Sequence, residues 1–349
     1  MEIIIANNKF ERIGIIENAS VIWTTRYYES GDFELYMSAT QEHLDLINQG
    51  SYVIRDDDED SIGVIEDMVI TNTPEDGDKL TVTGRFASGY YLSSRVITQQ
   101  TQMKGNFQDS IRNLVLTNII EPNDSKRKID FIKLGNLDTT ITETLEMQTT
   151  GDNLLTKIEE TSQTVGIGFK MPLRKGKLYF ETYKGINRSY SQNENPWIIL
   201  SDEYDSLKSC EYIVNTSGII NFAYVAGEGE GLDRKIVGTT NLMEEPAGEF
   251  RREIWVDQRN ISSNNEDITE AELINQMKEE GNENLVGISE AFSGEISAQG
   301  YTYKKDYFIG DIVTIQKSKW NDIYINARII EVIESEDQEG KKITLTCGI

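Results

Sequence analysis

Histidine and cysteine are almost absent: the 349 residues contain only His43, Cys210 and Cys347. A structural zinc site needs about four Cys or His ligands at short spacing, and the two cysteines stand far apart. A zinc-protease helix needs two histidines. A Ser-His-Asp triad would have to use His43. That residue sits in Gln41 to Gly50, which reads as a short helix ending at Gly50 as C′, with His43 on its polar side. It reads as a surface histidine. Long apolar runs are missing too, and none approaches the ~20 residues of a membrane span. The first residues, Met1-Glu2-Ile3-Ile4-Ile5-Ala6, lack a basic leader and read as a β-strand rather than an export signal. Both cysteines are accordingly expected to be reduced and buried in strands of a protein made in the cytoplasm.

Positive charge is the other shortage. Against 59 Asp and Glu there are 34 Lys and Arg, a formal net charge of −25. Proteins that wrap nucleic acid carry dense Lys and Arg, so this chain is expected to repel DNA rather than hold it. What is present is core-forming material: 38% apolar residues, with 16 Tyr, 11 Phe and 4 Trp. That is too apolar for a disordered chain.

Strand signals dominate residues 1–98: 20–27, 33–37, 50–54, 62–66, 68–70 and 79–84, joined by tight polar turns. Two of those turns are acidic tips, at 56–60 and 74–78. From residue 99 the character changes. Residues 109–120 have apolar positions at helical spacing, with Asp109 as N-cap and Pro122 as the stop. A second helix is expected after Gly151-Asp152, with Leu154, Leu155 and Ile158 on one face, then strands at 166–171 and 177–183. Beyond the loop at 193–196 strands resume at 197–200, 210–214, 221–226, 310–315, 327–333 and 342–347. One helix among them starts with the capping box Thr269-Glu270-Ala271-Glu272, has Lys278 in its last turn, and has Gly281 as its C′ candidate.

The end of the chain echoes its beginning. Gly50-Ser51-Tyr52-Val53-Ile54 matches Gly310-Asp311-Ile312-Val313-Thr314, and Val64-Ile65-Glu66 matches Ile329-Ile330-Glu331. Residues 77–84 match 340–348 with one residue inserted in the turn. Three strands in one order, with offsets that change only at expected turns, indicate an internal duplication. The expected fold is mainly β (α+β). It comprises two related small β-barrels, at 1–98 and 206–349, with an inserted α+β domain at 99–205; the resemblance given next makes these barrels ones of tail-tube type. The second barrel is expected to carry one or two peripheral helices.

The runs 31–35, 46–53, 62–66 and 80–85, with the late segments 221–229 and 303–313, resemble the tail-tip (baseplate) hub proteins of tailed bacteriophages. The resemblance is to the short, non-enzymatic form without an appended hydrolase, since this sequence stops at Ile349 just after the last strand. It implies a virion protein, made and assembled in the host bacterial cytoplasm, that forms a homotrimeric ring closing the tail tube. Its partners would be the distal tail protein ring, the tape-measure protein and tail-fibre or receptor-binding components. Phage DNA would pass through without specific binding, and neither a cofactor nor a catalytic residue is implied. Three chains with two similar barrels each would offer six near-equivalent faces, joining a sixfold tube to a threefold tip. In that setting Asp56, Asp57, Asp58, Glu59 and Asp60 are candidates for an acidic, lumen-facing loop, although such a run is more commonly a solvated turn.

Other motifs carry less. Asp56, Asp58 and Asp60 have the spacing that opens a calcium loop, but Ser61 and Asp67 stand where Gly and Glu belong. Gly227-Glu228-Gly229-Glu230-Gly231 lacks phosphate-loop spacing and reads as a hairpin. Gly287-Ile288-Ser289-Glu290-Ala291 lacks the closing glycine of a nucleophile elbow. Two rival functions remain at this stage. One is a virion-associated cell-wall glycan hydrolase using an Asp/Glu pair, and the other is a carbohydrate-binding receptor module.

Overall fold

The structure is a computed structural model, and it describes residues 1–75, 77–259, 261, 268–287, 289–297, 300–320 and 323–349. Asp76 of the second acidic tip and Ile288 of the elbow-like motif lie outside the described residues.

Eight strands build the first part: β1 (Ile3–Ala6), β2 (Arg12–Ile16), β3 (Ser20–Arg26), β4 (Asp32–Ser38), β5 (Tyr52–Arg55), β6 (Gly63–Val64), β7 (Asp67–Thr73) and β8 (Gly77–Arg85). They form two antiparallel layers, ordered β2-β1-β5-β6 and β3-β4-β8-β7. Alternation decides which faces meet: Phe33, Leu35 and Met37 of β4 point inward, against Ile3, Ile5, Trp23 and Val82. A short helix α1 (Gln41–Leu46) ends at Ile47, well before the expected Gly50, which instead takes φ +82° in the turn after it. A second, α2 (Ala87–Leu92), closes this part.

The next segment holds β9 (Thr101–Asn106), α3 (Phe107–Val115), β10 (Ile132–Leu134), β11 (Thr144–Thr149), α4 (Leu154–Val165), β12 (Gly168–Lys170), β13 (Leu173–Arg174) and β14 (Lys177–Tyr183). Asn106, not Asp109, caps α3: its side chain accepts from the Asp109 amide, which already lies in the first turn. A π-helical turn extends α3 through Leu116–Ile120, ahead of Pro122. The core here is the largest among the described residues. Phe107, Ile111, Ile158 and Phe180 pack with Ala6, Tyr52 and Val64, so the β2-β1-β5-β6 layer is covered on both faces.

The last part contains β15 (Ile199–Ser201), β16 (Leu207–Asn215), β17 (Phe222–Ala226), β18 (Ile236–Thr239), β19 (Glu253–Asp257), α5 (Glu270–Glu283), β20 (Ser289–Ile296), β21 (Ile312–Lys317), β22 (Ile323–Asp337) and β23 (Gly340–Gly348). Three of these strands, β18-β17-β19, make a separate sheet that packs with α5 around Ala223, Val225, Leu273 and Met277. The capping box of α5 forms as expected, but its end differs. Gly281 lies inside the helix. A Cβ there would meet Thr239 Cγ2 at 2.3 Å and Val225 Cγ2 at 2.7 Å, so this glycine lets α5 approach the sheet rather than stopping it. Cys347 is buried in β23 as expected. Cys210, in β16, is only half-buried.

The duplication is visible in the pairing. The order β7-β8-β4-β3 recurs as β22-β23-β20-β16, antiparallel at every step. Trp23, Phe33 and Gly84 lie in one cross-strand row, and Tyr212, Phe292 and Cys347 lie in the corresponding row. Strand β21 pairs with β22 as β5 pairs with β6. The bulge between Ile329 and Glu331 falls where β6 and β7 separate in the first copy. One contact differs: β15 runs parallel on β21, whereas β1 runs antiparallel on β5.

The two copies share a sheet. The far half of β22 pairs with β3, giving the continuous path β16-β20-β23-β22-β3-β4-β8-β7. This path is open, with β16 at one end and β7 at the other.

Candidate functional site

Two features stand out: a buried ionic cluster at the seam between the copies, and the two end strands of the long sheet, β7 and β16. The cluster starts from the acidic tip after β5. Arg55 is fully buried, and its guanidinium binds two carboxylates in bidentate fashion, Asp57 at 2.8 Å and 2.8 Å and Glu334 of β22 at 3.1 Å and 2.9 Å. Lys341 of β23 reaches Glu334 at 2.9 Å and Asp57 at 3.4 Å. Lys304, held at φ +64°, reaches Glu334 at 3.1 Å and Asp58 at 3.3 Å. Asp58 also accepts the Trp23 indole N–H at 3.0 Å and the amides of Asp60 and Ser61.

Three cations thus face three carboxylates, and the cluster is neutral. Burial alone would raise the Glu334 carboxyl, but the hydrogen bonds and charge of Arg55, with Lys304 and Lys341, outweigh it and hold Glu334 at about 2. Asp57 is lowered for the same reason, its burial penalty overcome by Arg55.

Of the run of five acids only Asp58 is buried; the other four are exposed, two of them held in ion pairs. Asp58 is buried, Asp57 is tied to Arg55 and Lys341, and Asp60 pairs with Lys170 at 2.7 Å. Asp56 accepts the Glu2 amide and remains exposed, as does Glu59. The sequence exposed the acids but not their partners: Lys304, Glu334 and Lys341 sit more than two hundred positions away with no local signal. His43 lies on α1 and is partly exposed, its Nδ1 2.7 Å from the Ser38 carbonyl. Among the described residues no group of three or more His, Cys, Asp or Glu side chains could hold a metal ion. No helix among them is long and apolar enough to cross a membrane.

The two end strands carry exposed apolar residues among polar ones. Every residue of β7 is exposed, including Met68, Val69 (53%) and Ile70 (56%). The other edge, β16, exposes Ile213 and Val214. Native edge strands are normally protected by Lys, Pro or a covering element. The centre of β7, Met68-Val69-Ile70-Thr71, has none of these residues. A third feature is a mostly apolar cavity of about 230 Å³ where all three parts meet, walled by Ile62, Phe86, Phe169, Met171, Ile186 and Phe308.

Residues 2–349 match the profile of the Siphovirus ReqiPepy6 Gp37-like protein family. The chain belongs to that family. No curated protein sequence matches it. Its fold is similar to three solved structures over nearly their whole length. A tail protein from Neisseria meningitidis MC58 shares 13% identity with a TM-score of 0.57, covering 100% of this chain and 96% of the other. The 43 kDa tail protein of prophage MuSo2 from Shewanella oneidensis shares 13% with a TM-score of 0.54, covering 99% and 98%. Prophage tail protein gp18 from Listeria monocytogenes shares 12% with a TM-score of 0.54, covering 99% and 94%. At such identities the likeness is one of fold, so the role of this Gp37-like chain has to be argued from its own seam and edges.

Proposed function

We propose that this chain is a structural virion protein, the hub at the tip of a phage tail, acting as a homotrimeric ring that closes the tail tube and adapts sixfold symmetry to threefold. The observation that carries this reading is the long sheet built from two equivalent four-stranded halves and left open at both ends. Three such chains present six equivalent units around a ring, and closing the ring covers the two end strands of this sheet. The barrel-like closure expected from the sequence then belongs to the assembly rather than to one chain. The tail-protein folds of similar shape support the same setting.

On this reading the neutral Arg55 cluster fixes the angle between the two halves. The net charge of −25 disfavours adsorption of phosphate backbones, and Asp56 and Glu59 are the members of the acidic tip available to a DNA-facing surface. The ring would dock below the distal tail protein ring, hold the end of the tape measure until DNA passes, and carry fibre or receptor-binding components. No catalytic step is assigned.

Mass measurement of the purified chain tests the proposal. A mass three times that of the chain, with threefold averages in electron micrographs, is the expected result. A monomer at micromolar concentration that fails to bind purified tail tubes would defeat it.

A further inference from the structure

The two copies differ most in one connection. In the first copy β3 passes to β4 through residues 27–31. In the second the same step, from β16 to β20, runs through residues 216–288 and carries β17, β18, β19 and α5. This lobe has its own sheet and its own core around Ala223, Val225, Leu273 and Met277. The strand order shared by the two copies is complete without it.

Helix α5 turns two stripes away from each other. Leu273, Met277 and Gly281 are buried against the sheet. Asn275, Lys278, Glu279 and Asn282 follow the three- and four-residue spacing of a second stripe. That stripe forms one wall of an open cleft of about 350 Å³. Strand β18 and Glu245 form the other wall, and the Phe222 ring lines it beside Gly238. A Cβ at Gly238 would meet Phe222 Cζ at 2.6 Å, so the missing side chain makes room for the ring.

The polar atoms of the cleft are largely unspent. Asn275, Lys278 and Glu279 make no side-chain hydrogen bond or ion pair among the described residues. Thr239 donates to Asn282 Oδ1 at 3.0 Å, which leaves the N–H groups of that amide to donate elsewhere. Glu245 uses one oxygen on Arg251, at 2.5 Å. The rest of the lobe pairs its charges, Arg251 also with Glu253, Arg234 with Asp257 and Lys235 with Glu270.

This mixture defines the occupant. Donors on Asn275, Lys278 and Asn282 stand across one gap from acceptors on Glu279 and Glu245. A hydroxyl both donates and accepts, so a ring bearing several hydroxyls satisfies both sets. Two carboxylates against one ammonium disfavour an anionic ligand. An apolar ligand would leave the polar groups dry and unpaired. The Phe222 ring supplies an apolar wall for the C–H face of a sugar. We propose that the cleft between β18 and α5 binds a neutral saccharide of one or two rings through its hydroxyls. The site lies within one chain and does not depend on the ring reading above.

Saturation-transfer NMR on the full-length chain with maltose, cellobiose, lactose and N,N′-diacetylchitobiose tests the site. Transfer to at least one of these sugars is expected, and Asn275→Ala/Lys278→Ala should weaken it at least fivefold. Both side chains are exposed and unpartnered, so that variant is expected to keep the parent's circular dichroism. Trp255, 53% exposed on β19, is the competing platform for a sugar ring. Trp255→Ala should leave the signal within about twofold. Transfer lost in Trp255→Ala and kept in the cleft variant overturns the assignment, as does transfer to none of the four sugars. Displacement of the sugar by sodium phosphate would also overturn it, since the cleft would then be an anion site.

Discussion

At the residue scale, Arg55 is the side chain on which most depends. It is buried among carboxylates from two distant parts of the chain, and its removal leaves Glu334 charged and without its bidentate partner. Breaking a buried pair this way typically costs about 3–5 kcal/mol. Arg55→Met should therefore lower the denaturation midpoint sharply, while the double variant Arg55→Met/Glu334→Leu recovers much of the loss; chemical unfolding of the three proteins checks this. The acid side follows from Glu334, whose folded value of about 2 lies below that of an unfolded carboxylate. Its contribution is complete above the ordinary carboxylate range and is lost as pH falls towards about 2. Unfolding followed between pH about 5 and about 2 should show a steep decline that Glu334→Gln flattens. The sequence made the acidic tip conspicuous but not the partners that join it, because a carboxylate's partner across 279 positions leaves no trace in local composition.

At the scale of elements, α5 shows what local sequence can and cannot say. Its start was legible, since a capping box is satisfied within four residues. Its end was not, because the demand on Gly281 comes from Val225 and Thr239 on another element. The same helix docks on α4 through a buried triad: Lys157 of α4 reaches Glu280 and Glu283 of α5, each at 2.9 Å, and Gln258 donates to Glu280. Two carboxylates share one ammonium here. Burial raises both carboxyls, Glu280 to about 7, and the mutual charge of Glu280 and Glu283, with Glu160, Asp152 and Glu279 nearby, adds to the shift. A raised carboxyl stabilises the fold below its unfolded value, and the contribution is lost as pH rises through about 7. Hydrogen exchange of the α5 amides, corrected for intrinsic rates, should therefore lose protection above neutrality. Glu283→Gln should keep it. Equal protection at pH about 6 and about 9 in the parent chain would contradict this.

At the scale of the whole molecule, charge and assembly oppose each other. Every copy brings −25 into the ring, and the end strands it would cover carry exposed apolar residues, so screening should favour association. Sedimentation at low and high sodium chloride should show the trimer strengthening with salt; weakening with salt would point to an ionic interface instead. The duplication was readable from three short strand matches, but the middle one is a residue out of step: Thr83 faces Asp67 as Thr346 faces Glu331, so Asp67 and not Glu66 stands in the place of Glu331. That the copies share one sheet was not readable. Pairing of β22 with β3 depends on the unusual length of β22, and nothing in residues 323–337 announces which neighbour its far half will take.

That shared strand has a consequence for biosynthesis. Arg26 and Glu331, which meet across it, are 305 positions apart. At about 5–20 residues per second, a ribosome that has released β3 needs on the order of 15 to 60 s more to deliver β22. Throughout that interval the nascent chain displays an unsatisfied row of amides and carbonyls beside Trp23. The first half of this protein must wait for the last to be made, and a chaperone or another nascent copy can reach that edge before its own strand does.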